Sequence, residues 1–295
     1  MMAQRIANLI GKTPLVKTSS IIKKEGITLL LKLEGNNPAG SVKDKPAYNM
    51  IASAIERGDI KKGDYLIEAT SGNTGIALAM IAQQFGLQME LVMPENSTVE
   101  RVQTMRAYGA KVTLTPSDVG IEGSRTYANK MVKEKGYTML DQFANDDNWK
   151  AHYKTTGPEI WNDTSGKITH FVSAMGTTGT IMGTSTYLKE QNSEIQIIGA
   201  QPMDGSKIPG IRKWSPEFVP KIFNPKKVDL VIEVSEDEAR AMTKKLAREE
   251  GIFAGMSAGG AVTAAVKLSK NIENGLIVAI IPDRGDRYLS SDLFE

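Results

Sequence analysis

The chain has 295 residues, with 36 Lys+Arg against 34 Asp+Glu, two histidines and no cysteine. That length suits one large or two moderate domains, and 41% hydrophobic with 24% charged residues is an ordinary globular composition. A net charge of +2 gives no basic field for nucleic acid or a membrane surface, and the lack of cysteine excludes disulfides, thiolate nucleophiles and Cys-based metal sites.

The N-terminus, MMAQRIANLIGKTPLV, lacks the apolar segment of a signal peptide, so the chain is expected in the cytoplasm. Next, ITLLLKLE (27–34) reads as a strand and Tyr48 to Arg57 as a helix ending at Gly58. YLIEAT (65–70) is a strand that runs through SGNTG into the helical pattern IALAMIAQQFG. MELVMP (89–94), a helix at about 98–108, AKVTLT (110–115) and a helix at about 121–135 continue the alternation.

Phe143 to Trp149 is a polar, Asn/Asp-rich stretch and the expected main domain boundary. Beyond it, ITHFVSA (168–174) leads through MGTTGT into a helix, and IQIIGAQ (195–201) follows as a strand. VDLVIEVS (228–235) ends at Ser235, with Glu238 three residues on, the signature of a capping box. LIVAIIP (276–282) is a late buried strand, too short for the ~20 residues that span a bilayer. Strands alternating with helices predict an α/β protein of mostly parallel twisted sheets flanked by helices.

His152 and His170 leave little for a metal centre, no metal site is expected, and no G-x-S-x-G elbow is present. Difficult chemistry therefore falls to a lysine or a bound organic cofactor. Three segments read as strand, Gly/Ser/Thr turn and helix: 70–75, 176–180 and 255–260. Each is either a tight βα turn or an anion site, where free N–H groups and the positive helix end face a ligand. The spacing does not say which anion, and no segment matches a nucleotide-binding fingerprint. Lys43 follows a strand and a Pro/Gly turn where a helix begins. It is either a surface charge or a desolvated amine able to form a Schiff base with an aldehyde cofactor. His152, His170, Trp149, Trp161 and Trp214 read as structural, and Met80, Met89, Met93 and Met105 as core.

Seven segments, in order from residue 10 to residue 290, then give the chain a likeness: IGKTPL (10–15), LEGNNPAGSVKD (33–44), EATSGNTG (68–75), TTGPEIW (155–161), MGTTGT (175–180), IPGIRKW (208–214) and DRGDRYLS (283–290). The sequence resembles the B-type cysteine synthases (O-acetylserine sulfhydrylase B), pyridoxal 5′-phosphate (PLP) enzymes of the tryptophan-synthase-β fold type. This resemblance implies a β-replacement. An activated serine, O-acetyl-L-serine, plus sulfide gives L-cysteine through an α-aminoacrylate intermediate, with thiosulfate as a further donor giving S-sulfocysteine. It also implies a homodimer acting on small molecules, and two domains. These are residues 36–148, with a movable subdomain at about 87–131, and residues 1–35 plus 149–295, which hold the cofactor phosphate.

By the same resemblance, Lys43 holds the cofactor as a Schiff base and moves protons at the substrate α-carbon. Asn73 meets the ring hydroxyl, Gly176, Thr177, Thr178, Gly179 and Thr180 cradle the phosphate, and Ser257 faces the pyridine nitrogen. Thr70, Ser71, Thr74 and Gln142 bind the substrate α-carboxylate. Arg212 is either a surface arginine or a guanidinium facing thiosulfate or the phosphate of O-phosphoserine. Lys45-Pro46 stands where relatives carry Arg and a small residue, and a local change is expected there. Rival readings are an O-phosphoserine sulfhydrylase, a cystathionine β-synthase or serine/threonine dehydratase of the same fold, and, from another class, a non-catalytic relative serving as a binding subunit.

Overall fold

The computed structural model describes residues 6–70 and 72–295. In chain order the elements are β1 (Leu15–Lys17), β2 (Ile27–Leu33), α1 (Asp44–Arg57), β3 (Tyr65–Ala69), α2 (Asn73–Phe85), β4 (Gln88–Pro94), α3 (Val99–Ala107), β5 (Lys111–Thr115) and α4 (Gly120–Lys135). Then come β6 (Thr138–Met139), α5 (Asp146–Lys154), α6 (Thr156–Asp163), β7 (His170–Ala174), α7 (Gly179–Gln191), β8 (Gln196–Pro202), β9 (Leu230–Val234), α8 (Glu236–Glu250), α9 (Met256–Ser269) and β10 (Gly275–Ile281).

The strands form two sheets, one ordered β1-β2-β10-β7-β8-β9 and the other β5-β4-β3-β6. Among the described residues every strand pairing is parallel except β1 with β2. Parallel strands are covered by helices on both faces, so their side chains are apolar almost without alternation. Ile277 to Ile281 of β10 and Met89 to Pro94 of β4 are all buried, which is why these runs were legible as strands. The four predicted Met core positions are buried. Ser235 accepts from the Glu238 N–H while the Glu238 side chain accepts from the Ser235 N–H, so the capping box is closed at both ends. No helix among the described residues is long and apolar enough to cross a membrane.

The structure departs from the sequence reading in two places, the start of α1 and the third glycine segment. Helix α1 begins at Asp44, four residues before the expected start at Tyr48, because Pro46 sits in its first turn. The first four N–H groups of a helix have no intrahelical acceptor, so a residue without one is tolerated there. Within the polar stretch 143–149, Asn145 caps α5, its side chain accepting from the Asp147 N–H. The third glycine segment is not a strand–turn–helix unit. Met256 to Gly260 already lie in α9, and Ala254 before them makes only an isolated bridge to Arg284. Its glycines serve packing. A Cβ on Gly259 would lie 2.0 Å from the Ala239 carbonyl oxygen of α8.

Candidate active site

Ligands of open α/β sheets bind beyond the carboxyl ends of the strands. The turns after β2, β3, β7 and β10 converge there on a cavity of about 450 Å³ and a smaller, adjoining one of about 60 Å³. Lys43, Asn73, Gly176, Thr177, Gly210 and Tyr288 line both.

Lys43 is fixed from its backbone outward. Asn37 spans the turn after β2, its Nδ2 donating to the Glu34 carbonyl at 2.8 Å and the Ser41 carbonyl at 3.1 Å. Ser41 bridges to Asp283, and the Val42 N–H donates to the Pro282 carbonyl at 2.7 Å, so the turn is sewn to the end of β10. Lys43 then stands immediately before α1, in the N-cap position, with no side-chain capping bond, so the sequence reading of a lysine at a helix start holds. Burial pulls its amine down to about 8, while the Asp283 carboxylate nearby opposes the shift. At neutral pH a useful fraction of this amine is therefore unprotonated.

Asn73 opens α2 after the 70–72 turn. Its Nδ2 donates to Asp283 Oδ2 at 2.6 Å, and its Oδ1 accepts from Arg287. Beside it, Thr74 Oγ1 donates to Gln142 Oε1 at 2.7 Å, and both side chains are buried in the cavity wall with Thr70. Three of the four residues expected at the α-carboxylate thus stand together; Ser71 lies outside the described residues.

The turn 176–180 follows β7 and runs into α7. Thr178 adopts φ 70°, in the left-handed region, and its Oγ1 is buried without a partner among the described residues. Thr180 Oγ1 lies 3.3 Å from His152 Nε2, and Asn148 Nδ2 donates to Thr177 Oγ1 at 3.4 Å. A Cβ on Gly176 would come within 2.7 Å of the Gly210 carbonyl, so the 208–214 segment can lie against this turn only if residue 176 is glycine. That segment is held there by the Arg212 N–H, which donates to the Met175 carbonyl at 2.9 Å, and by Trp214 Nε1, which donates to the Gly176 carbonyl at 2.9 Å. Trp214 therefore lines the cavity and anchors its wall, which corrects its reading as packing alone. Ser257, buried at the start of α9, lines the smaller cavity, with Gly210 packed near it.

Arg212 lines the cavity, exposed, with its guanidinium 5.4 Å from the centre of the Trp214 ring. Sequence reasoning missed two further guanidinia in the same wall. Arg101 of α3 lies 5.2 Å from the Tyr288 ring centre, and Arg125 of α4 lies 6.0 Å from that of Phe143. Asp283 and Tyr288 were also missed as individual site residues, although the DRGDRYLS segment holding them had been singled out. His152 is indeed a buried structural histidine, held well below its ordinary pKa by burial and by Lys45 and Lys43, but it touches the 176–180 turn through Thr180.

This constellation fits PLP on its own chemistry. A partly neutral amine suits the aldehyde, and a buried unpartnered hydroxyl at the head of a helix suits the phosphate. Asn73 uses only one of its two amide hydrogens in the contacts above, and a neutral serine hydroxyl lines the innermost part of the cavity.

Comparison with known proteins agrees. The chain is 59% identical over 290 residues, 98% of its length, to Cysteine synthase B of Pseudomonas aeruginosa, covering 97% of that protein. It superposes on the crystal structure of cysteine synthase from Entamoeba histolytica with a TM-score of 0.94 at 38% identity, covering 100% of this chain and 91% of that one. It also superposes on an O-acetylserine dependent cystathionine beta-synthase from Helicobacter pylori with a TM-score of 0.91 at 35% identity, covering both chains fully. Residues 6–283 match the family model described as pyridoxal-phosphate dependent enzyme, and the chain belongs to that family.

Proposed function

We propose that this protein is a PLP-dependent cysteine synthase that replaces the acetate of O-acetyl-L-serine by sulfide, giving L-cysteine. The observation that carries this reading is the convergence of Lys43, Asn73, the 176–180 turn and Ser257 on one cavity. PLP bound there supplies an electron sink conjugated to the amino-acid nitrogen.

The chain's own residues supply the rest. Lys43 Nζ holds the cofactor carbon between turnovers, then takes the α-proton of the substrate and returns it when product leaves. An amine with a pKa of about 8 suits both halves, since it gains and loses a proton near neutral pH. Gly176 to Thr180 bind the phosphate through the free N–H groups of α7 and the Thr178 hydroxyl. Asn73 donates to the ring hydroxyl. Ser257 presents a neutral hydroxyl to the ring nitrogen, which leaves that nitrogen unprotonated and tempers electron withdrawal in favour of β-elimination. Thr70, Ser71, Thr74 and Gln142 hold the α-carboxylate. Arg212 faces an anionic partner at the mouth, either thiosulfate or a phosphate leaving group.

In the same reading, residues 36–148 and residues 1–35 plus 149–295 are the two domains. The first contains the four-stranded sheet, and the segment at about 87–131 closes over substrate. The working form is a cytoplasmic homodimer.

A second reading is favoured by the likeness to the Helicobacter pylori protein, whose name joins the same first substrate to a different acceptor thiol. Product identification decides. O-acetylserine and O-phosphoserine are each paired with sulfide, thiosulfate and homocysteine. Cysteine from O-acetylserine and sulfide, at the highest kcat/KM, is expected. Cystathionine as the fastest product, or only pyruvate and ammonia, would overturn it.

A further inference from the structure

One carboxylate in the site has no role in the reaction as proposed above. Asp283 is almost wholly buried just after β10, and its Oδ1 has no hydrogen-bond partner among the described residues. Its Oδ2 accepts from Asn73 Nδ2 at 2.6 Å and from Tyr288 Oη at 2.7 Å. Burying a carboxylate is costly unless something is gained from its contacts. The neighbours that face it are Lys43, Asn73 and Tyr288, with Arg287 beyond Asn73 and Arg101 stacked against Tyr288.

The amide of Asn73 is oriented from both ends. Arg287 can only donate, so it must meet the amide oxygen; its other contact goes to the Ala39 carbonyl in the turn before Lys43. The amide nitrogen is thereby turned toward Asp283, and no flip of the group satisfies both neighbours. With one N–H committed to Asp283, the second N–H has a fixed direction. A free asparagine amide would lose that direction by rotation.

We propose that Asp283, braced by Tyr288 and opposed by Arg287, is a positioning residue that locks the Asn73 amide so that its remaining N–H is presented to the cofactor's ring hydroxyl. The inference rests on the assignment of this cavity to PLP. It makes the end of β10 a part of the cofactor site, although its residues need not touch the cofactor.

The test is a double-mutant cycle on PLP affinity, read by fluorescence titration of protein stripped of cofactor, with melting temperature without PLP as control. Replacing the charged acceptor by a neutral amide oxygen weakens the bond that holds the Asn73 amide and predicts about tenfold weaker PLP binding for Asp283→Asn, with a similar loss for Asn73→Ala. Because both act through one amide, the double variant should also lose about tenfold, not the product of the two. Tyr288→Phe, which removes one hydroxyl and leaves the ring, should weaken binding by about threefold. It serves as the test if Asp283→Asn does not fold. The absorbance maximum of the loaded Asp283→Asn protein should shift, which a purely structural role would not cause. Unchanged PLP affinity in Asp283→Asn and Tyr288→Phe, or a double variant about a hundredfold weaker, would overturn the inference. A parent protein that binds no PLP would overturn the cofactor assignment instead.

Discussion

Lys43 and Lys45 stand two residues apart at the start of the same helix and have opposite surroundings. Lys45 is fully buried, yet its Nζ meets Glu34 Oε1 at 2.7 Å, Thr156 Oγ1 at 3.0 Å and Glu159 Oε2 at 3.1 Å. Glu159 also pairs with Lys32 at 3.1 Å, and Lys32 with Asp163 at 2.9 Å, so the core side of α1 faces a closed ionic knot. Burial alone would raise the Glu159 pKa, but Lys45 and Lys32 more than offset it and the carboxyl is held below its usual range. Lys43 lines the ligand cavity instead, where the Asp283 carboxylate lies nearby but does not offset the effect of burial. Paired burial makes a lysine structural; unpaired burial makes its amine reactive.

The comparison can be broken by mutation, and the largest expected effect is at Lys43. Lys43→Ala should abolish the visible band of the PLP-loaded protein and its turnover, while urea unfolding of the cofactor-free protein shows no loss of stability, since a desolvated amine held without an ion pair does not stabilise the fold. Loss of stability with retained turnover would reverse the assignments of the two lysines. Next is Glu34→Ala, which leaves Lys45 buried and short of its nearest carboxylate. Stability should fall by about 3–5 kcal/mol in urea titrations, and Lys45→Met added to a Glu34→Leu variant should recover much of it. A Glu34→Ala protein as stable as the parent would show that the knot carries no such weight.

A smaller effect lies in pH. An amine lowered to about 8 is protonated below that value and neutral above it, and only the neutral form attacks an aldehyde. Binding of PLP to stripped protein should therefore accelerate as pH rises and level off above about 8. The Asp283 carboxylate favours the charged amine, so Asp283→Asn should move the plateau to lower pH. Stopped-flow absorbance measures both curves, and a rise continuing to pH 10 would mean that Lys43 is not desolvated.

Much of this was legible in the sequence. β4 and β10 declare themselves as unbroken apolar runs, and Ser235 with Glu238 announces the start of α8 through purely local chemistry. The 176–180 turn and Lys43 were visible because loop residues at strand ends carry a composition of their own. The start of α9 was misread, since Gly-Met-Ser-Ala-Gly-Gly has the composition of a turn. Close packing of Gly259 against α8 and of Gly260 against Ile211 explains these glycines inside a helix. The partners of Asn73 were not legible one by one. Asp283 and Arg287 lie more than 200 residues away, and nothing local says that the end of β10 reaches α2. Arg101 and Arg125 were hidden for the same reason. Lys45 stood out only as a departure, while its role depends on Glu34 after β2 and on Thr156 and Glu159 of α6.

The most direct measurement is to load the protein with PLP, reduce with borohydride, digest and map the pyridoxyl group by mass spectrometry. The expected result is a single modified lysine, Lys43, with Lys45 and Lys32 unmodified. Modification of another lysine in place of Lys43, or of none, would contradict the assignment of this cavity.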